Sequence, residues 1–121
     1  MSIRDQLGHL IEELETVLRQ SAGLTQGLDA QRRRGIELRR QISGLIASIG
    51  SIGERAFEDV TKQAAFRREF SKMRSAMAFH QASWPIVSIK PEDPTYIASV
   101  QALREANRQF ISWVRAAIAS G

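Results

Sequence analysis

Four stretches of the chain repeat apolar residues at alternating intervals of four and three positions. This spacing places side chains on one face of an α-helix. The stretches cover residues 3–17, 38–52, 57–84 and 96–117. Aromatic residues make up only 7% of the chain, and most of the apolar content is Ile, Leu and Ala, which favours packing between helices over a β-sandwich. The sequence therefore predicts an all-α protein.

Capping signals and glycines set the predicted limits of the first two helices. Ser2 followed by Asp5 resembles a capping box with aspartate in place of glutamate, so helix 1 is predicted over residues 3–21. Glycines at both ends of residues 23–27 indicate a break. Helix 2 is then predicted over residues 28–49.

The last two helices have their own start signals. Ser51 and Glu54 form a second capping-box pair, which predicts the start of helix 3. Pro85 removes a backbone donor, so this helix is predicted to end or kink there. Asp93 as N-cap, with Pro94 at the first helical position, predicts the start of helix 4.

Four amphipathic helices with short connections must bury their apolar faces against one another. The 121 residues, 43% of them apolar, fit one domain over residues 1–121, for which an antiparallel up-and-down four-helix bundle is the predicted architecture. The alternative is an elongated helical hairpin or coiled coil. It requires helices 1 and 2 to continue through Gly23 as a rod of about 70 Å, at about 1.5 Å per residue, with its apolar face covered by a partner.

Composition argues against several classes of protein. The chain has no cysteine, which excludes disulfides and thiolate ligands and is compatible with a reducing compartment. Glutamates within residues 12–15 interrupt any secretory h-region. The longest uncharged stretch, residues 41–53, is too short to cross a bilayer. A cytoplasmic protein without membrane insertion is predicted.

The small number of histidines limits the metal-binding and catalytic chemistry that the chain can perform. The chain has only His9 and His80, and neither has an acidic residue three positions earlier, as the Glu-x-x-His spacing of di-iron bundles requires. Neighbouring carboxylates on a helix point in different directions, which disfavours acid–base pairs. No catalytic residues, metal ligands or cofactor are predicted, so the protein is not expected to be an enzyme.

His80 lies on the apolar stripe of helix 3 and is predicted to face the core, where an imidazole needs a hydrogen-bond partner. Asn107, on the stripe of helix 4, is one candidate partner. A structural role is the first interpretation. The alternative is a small ligand site formed by His80, Asn107 and Trp84. A phosphoryl-accepting role is disfavoured, because histidine-phosphotransfer domains usually carry lysine and glycine where this chain has Ser83 and Trp84.

An arginine cluster accounts for the excess positive charge of the chain, which is +4. Arg32, Arg33, Arg39 and Arg40 fall within about 120° of helical arc at about 100° per residue, opposite the apolar face. They are predicted to form one basic face that binds phosphate or carboxylate groups of a partner. Nucleic acid is disfavoured as a partner because no aromatic residues are interleaved with these arginines. The carboxylates of residues 12–15 are an alternative, intramolecular partner.

Residues 42–52 alternate isoleucines with small residues and are the least polar part of the chain. Small side chains permit close contact between helices. Tight packing inside the bundle is the first interpretation, and a docking surface for another subunit or protein is the alternative.

The second half of the chain resembles bacterial hemerythrin-like proteins. The resemblance rests on Phe70, Met73-Arg74, Ala76, His80-x-x-x-Trp84, Tyr96, Leu103, Phe110 and Trp113. It implies an up-and-down four-helix bundle whose family binds oxygen or related small molecules at a di-iron centre. Trp113-Val114-Arg115 stands where a ligand-bearing helix needs histidine or glutamate. The resemblance therefore implies a member without its metal.

Three functions follow as hypotheses. The first is a non-catalytic bundle that acts through protein–protein contacts, as a homodimer or a small regulatory adaptor in a bacterial cytoplasm. The second is a degenerate hemerythrin-like bundle that binds a ligand or metal near His80. The third is nucleic-acid binding through the arginine face of helix 2.

Overall fold

The computed structural model describes residues 2–22, 29–86, 89–90 and 92–120. Within them are four helices and a short 3-10 turn, in the order α1 (Ile3–Ala22), α2 (Asp29–Ile52), the turn (Glu54–Ala56), α3 (Val60–Ser83) and α4 (Pro94–Ala119). The predicted all-α four-helix bundle is confirmed.

The helices alternate in direction. α1 packs against both α2 and α4, and α3 packs against α4. Because α1 and α2 lie side by side, they do not form one continuous rod, and the alternative of an elongated hairpin is wrong. The predicted break at residues 23–27 lies outside the described residues.

Two predicted helix starts are confirmed by their caps. At α1, the Ser2 Oγ accepts a hydrogen bond from the backbone N–H of Asp5 at 3.0 Å. At α4, an Asp93 carboxylate oxygen accepts from the N–H of Thr95 at 2.8 Å, with Pro94 at the first helical position. Each cap gives a partner to an N–H group that the helix itself leaves unpaired.

The predicted start of helix 3 at Ser51 and Glu54 is wrong. α2 continues through Ile52, and Glu54 opens only the single 3-10 turn. The chain is extended at Phe57, which is 1% exposed, and α3 begins after Asp59, whose carboxylate accepts from the N–H of Thr61 at 2.7 Å. α3 begins at the later cap because the chain must be extended at Phe57 to place the ring of this residue in the core.

One end of the bundle is filled by rings. The aromatic cluster there consists of Phe57, Phe66, Phe70, Phe110 and Trp113, with ring centroids 5.6 to 6.3 Å apart. Gly53 permits this packing, since a Cβ built on it would lie 2.0 Å from the Phe66 Cζ. We call this the aromatic end.

The fourth side of the bundle, between α2 and α3, is more open. A groove of about 460 Å³ separates these two helices, and Phe70 and Met77 are among the residues on its wall. Of residues 42–52, the isoleucines at 42, 46 and 49 are buried in the core, whereas the small residues at 43, 44, 47 and 48 are exposed. Among the described residues, no helix is long and apolar enough to span a membrane.

Candidate ligand-binding cavity

A cavity of about 570 Å³ occupies the other end of the bundle, which we call the cavity end. It lies between the C-terminal parts of α1 and α3 and the N-terminal part of α2, and it extends along α4 from Tyr96 to Arg115. Most of its wall is apolar. The apolar wall residues include Leu18, Ile42, Met77, Ile86, Ile89, Val100, Leu103 and Ile111.

Arg39 lies on the cavity wall and not on an exposed basic face. Its Nη2 donates a hydrogen bond to the backbone carbonyl of Trp84 at 2.8 Å, at the C-terminal cap of α3. The prediction that places Arg39 with Arg32, Arg33 and Arg40 is therefore wrong for this residue, although those three are exposed as predicted. The open side between α2 and α3 lets the long arginine stem reach across to the next helix.

The charge of Arg39 has no acidic partner in the part of the chain that the structure describes. The Arg39 side chain is partly buried, and this burial lowers the pKa of its guanidinium from its ordinary value. An arginine remains charged even so. A partly buried positive charge therefore faces the cavity.

His80 is 7% exposed and faces inward, as predicted. Its Nδ1 lies 2.7 Å from the Ser99 Oγ on α4, so the expectation that Asn107 is its partner is wrong. Burial lowers the pKa of His80, and the nearby charge of Arg39 lowers it further. The imidazole is therefore neutral at neutral pH, and its burial also argues against a phosphoryl acceptor.

Asn107 is 7% exposed and lies on the same wall. Among the described residues, no donor is within hydrogen-bond distance of its Oδ1. A buried amide oxygen without a partner costs about 1–3 kcal/mol. Asn107, a residue of the cavity wall, thus has an unused hydrogen-bond acceptor.

Trp84 contacts two residues of the wall, Tyr96 and Arg39. Its ring meets that of Tyr96 edge-on, with centroids 5.3 Å apart, and its carbonyl fixes Arg39. Tyr96 itself lines the cavity. The role of Trp84 as a ligand contact stays a prediction.

The rim of the cavity is basic. Arg19, Arg104 and Arg115 lie on it, and Glu15 is the acidic residue among the described wall residues. Both Glu15 carboxylate oxygens accept from Arg115 of α4, at 2.9 and 3.0 Å, and these hydrogen bonds lower the pKa of Glu15. For Glu15, the predicted pairing with the arginines of helix 2 is therefore wrong. The rim keeps a net positive charge.

The residues around His80 do not fit a di-iron centre. In the described part of the chain, no group of three or more histidine, cysteine, aspartate or glutamate side chains lies close enough to hold a metal ion. The neighbours of His80 are a serine hydroxyl, the Tyr96 ring and the cationic Arg39. A di-iron centre has bridging carboxylates, whereas here the charged neighbour is the Arg39 guanidinium. Its positive charge opposes the binding of a metal cation.

The structure brings together Arg39, His80 and Asn107, although Arg39 was predicted on a separate basic face. Ser99 and Tyr96 were not predicted as part of this site. A signal was present in helix 4, where Tyr96 and Asn107 fall within about 20° of each other at about 100° per residue and therefore share a face.

Comparison with protein-family models, curated proteins and solved structures finds no match for this chain. The fold and the cavity define it as a four-helix bundle with a pocket at one end.

Proposed function

We propose that the protein is a non-catalytic binding protein that holds a small organic molecule in the cavity. The observation that carries this proposal is the cavity itself. Its volume of about 570 Å³ falls within the range of about 300–1,000 Å³ that is typical of ligand pockets. The cavity is open to solvent over part of its surface, so a ligand can reach it.

The composition of the wall also supports binding. Ligand pockets are mainly apolar, with a few polar groups that orient the ligand. Of the polar residues on this wall, His80 and Asn107 are buried and Arg39 is partly buried. What supports a binding role over catalysis is that, among the described residues, no carboxylate is hydrogen-bonded to His80, so its hydrogen bond with Ser99 lacks the third group of a catalytic triad.

The other functions suggested by the sequence stay predictions. The exposed arginines at 32, 33 and 40 are the surface on which a nucleic-acid function would depend. Phe79, which is 73% exposed on α3, is an apolar side chain that a protein partner of an adaptor could cover. The cysteine-free composition is compatible with a cytoplasmic location.

Methyl-detected NMR with small organic probes tests the binding function. We expect 1-octanol, octanoate, 3-methylindole or indole-3-acetate to shift the methyl resonances of Ile42, Met77 and Ile111 saturably. Resonances at the aromatic end should stay unchanged. Failure of all four probes to shift the cavity methyl groups would contradict the proposal.

A variant that fills the cavity provides the control. Val100→Phe places a ring in the empty volume and should abolish the shifts. Val60→Phe makes the same change at a position that is 73% exposed and should leave binding as in the wild type. Equal binding by both variants would place the probes elsewhere and would contradict the site.

A further inference from the structure

Two groups on the cavity wall have polar capacity that the described residues do not use. The Arg39 guanidinium has five N–H donors, and the structure shows one hydrogen bond, from Nη2 to the neutral carbonyl of Trp84. The Asn107 Oδ1 is buried without a donor. The first group needs an anion and the second needs an N–H or O–H.

We infer that the ligand is an organic carboxylate with an apolar body that also carries one hydrogen-bond donor. Its carboxylate binds Arg39, and its donor binds the Asn107 Oδ1. This inference rests on the proposed function and specifies the class of molecule that the cavity holds.

The carboxylate follows from the state of the Arg39 charge. A partly buried charge is costly unless an opposite charge and hydrogen bonds compensate it. The carbonyl of Trp84 supplies a hydrogen bond but no negative charge. Glu15, the carboxylate on the rim, is already bound by Arg115 through both oxygens. The planar guanidinium matches a carboxylate through two parallel hydrogen bonds.

The basic rim adds to this preference. Arg104 and Arg19 lie on the wall with Arg39, so an entering anion meets positive charge before it reaches the interior. A cationic ligand would be repelled by the same groups. The apolar wall residues argue against inorganic phosphate, which has no apolar surface to bury, and favour a ligand with an alkyl or aryl body.

The donor follows from Asn107. A ligand N–H or O–H that reaches its Oδ1 relieves an unpaired buried acceptor, whereas a purely hydrocarbon body leaves it unpaired. An ammonium group would also donate, but the surrounding arginines disfavour a second cation. A hydroxyl or a neutral ring N–H is therefore the donor that fits.

Paired probes test the charge. At pH 7.5, octanoate should bind at least about 10-fold tighter than 1-octanol, and indole-3-acetate at least about 10-fold tighter than 3-methylindole, as charge-assisted hydrogen bonds allow. Arg39→Gln should remove this preference. Arg40→Gln removes the same charge from the neighbouring, exposed residue and should keep it.

Arg39→Gln also removes the hydrogen bond to the carbonyl of Trp84, so thermal unfolding followed by circular dichroism confirms that the variant is folded. Arg39→Lys, which keeps the charge, should retain part of the preference. If the neutral probes bind in the cavity as tightly as the carboxylates, or if Arg39→Gln keeps the preference, this inference is wrong while the proposed function stands. If no probe binds, both are wrong.

A third comparison tests the donor. Naphthalene-1-acetate has the carboxylate and an aryl body but no N–H, and we expect it to bind about 3–10-fold more weakly than indole-3-acetate. Asn107→Leu, which is similar in size but has no acceptor, should make the two affinities equal. Equal affinities for the wild-type protein would show that Asn107 accepts no hydrogen bond from the ligand.

Discussion

The two ends of the bundle are built from the same four helices, but their interiors are packed differently. At the aromatic end, rings from α3, α4 and the turn between α2 and α3 fill the interior, and Phe57 and Phe110 are each 1% exposed. At the cavity end, smaller aliphatic side chains line a volume of about 570 Å³. α4 contributes to both, with Phe110 and Trp113 at one end and Tyr96 and Asn107 at the other.

The difference separates the end that stabilises the bundle from the end to which we assign the proposed binding. Close-packed rings at the aromatic end bury large apolar surfaces, which stabilise the bundle. The cavity end gives up such packing and carries a partly buried charge and an unpaired amide oxygen, both of which cost stability. A ligand that fills this volume and pairs with these two groups would raise the free energy of unfolding.

Enlarging one valine at each end gives the largest expected contrast. Val114 is 0% exposed near the aromatic cluster, so Val114→Phe should lower the free energy of unfolding by about 1–3 kcal/mol or more through overpacking. Val100→Phe, on the same helix but at the cavity, should change it by less than about 1 kcal/mol in either direction. Urea unfolding of both variants measures this. Similar losses would mean that the cavity cannot accept a ring and would remove the contrast.

The helices were predictable because their signals are local. The four-three spacing and the caps at Ser2 and Asp93 depend on residues within one turn, and the structure confirms them. The start of helix 3 was not predictable from local signals, because two possible N-caps lie within nine residues of each other. The burial of Phe57 determines which of them begins the helix. That burial is a tertiary interaction, which periodicity alone does not contain.

The cavity was only partly predictable. The inward orientation of His80 and Asn107 follows from their apolar stripes, and the structure confirms it. The position of Arg39 does not, because it depends on the separation of α2 and α3 and on a carbonyl 45 residues away. Whether a set of apolar stripes fills its interior is likewise a property of the assembled bundle, not of any one helix.

Alanine substitutions at two glycines, one in α2 and one just after it, give the next largest expected change in stability. A Cβ on Gly53 would overlap the Phe66 ring, so Gly53→Ala should cost about 1–3 kcal/mol. Gly44 has nothing within 4 Å of its built Cβ, and Gly44→Ala should stabilise α2 by up to about 1 kcal/mol through helix propensity. Thermal unfolding measures both. Stabilisation by Gly53→Ala would show that the aromatic end is looser than the ring contacts indicate.

The smallest expected effect concerns pH and the cavity end. Burial, with a contribution from Arg39, lowers the pKa of His80 below its ordinary value of 6.5. The unfolded chain therefore takes up a proton at higher pH than the folded one. Stability should fall as the pH decreases from about 6.5 to the folded pKa, measured by urea unfolding at a series of pH values.

His80→Gln, which keeps a hydrogen-bonding side chain beside Ser99 but does not titrate, should show a smaller loss over this range. Equal slopes for wild type and His80→Gln would contradict the assignment of the pH-dependent loss of stability to His80.

Saturating octanoate adds a sharper test, because a carboxylate bound at Arg39 offsets the charge that helps to depress the pKa of His80. The pH-dependent loss should therefore shrink when octanoate occupies the cavity, and should not shrink with 1-octanol.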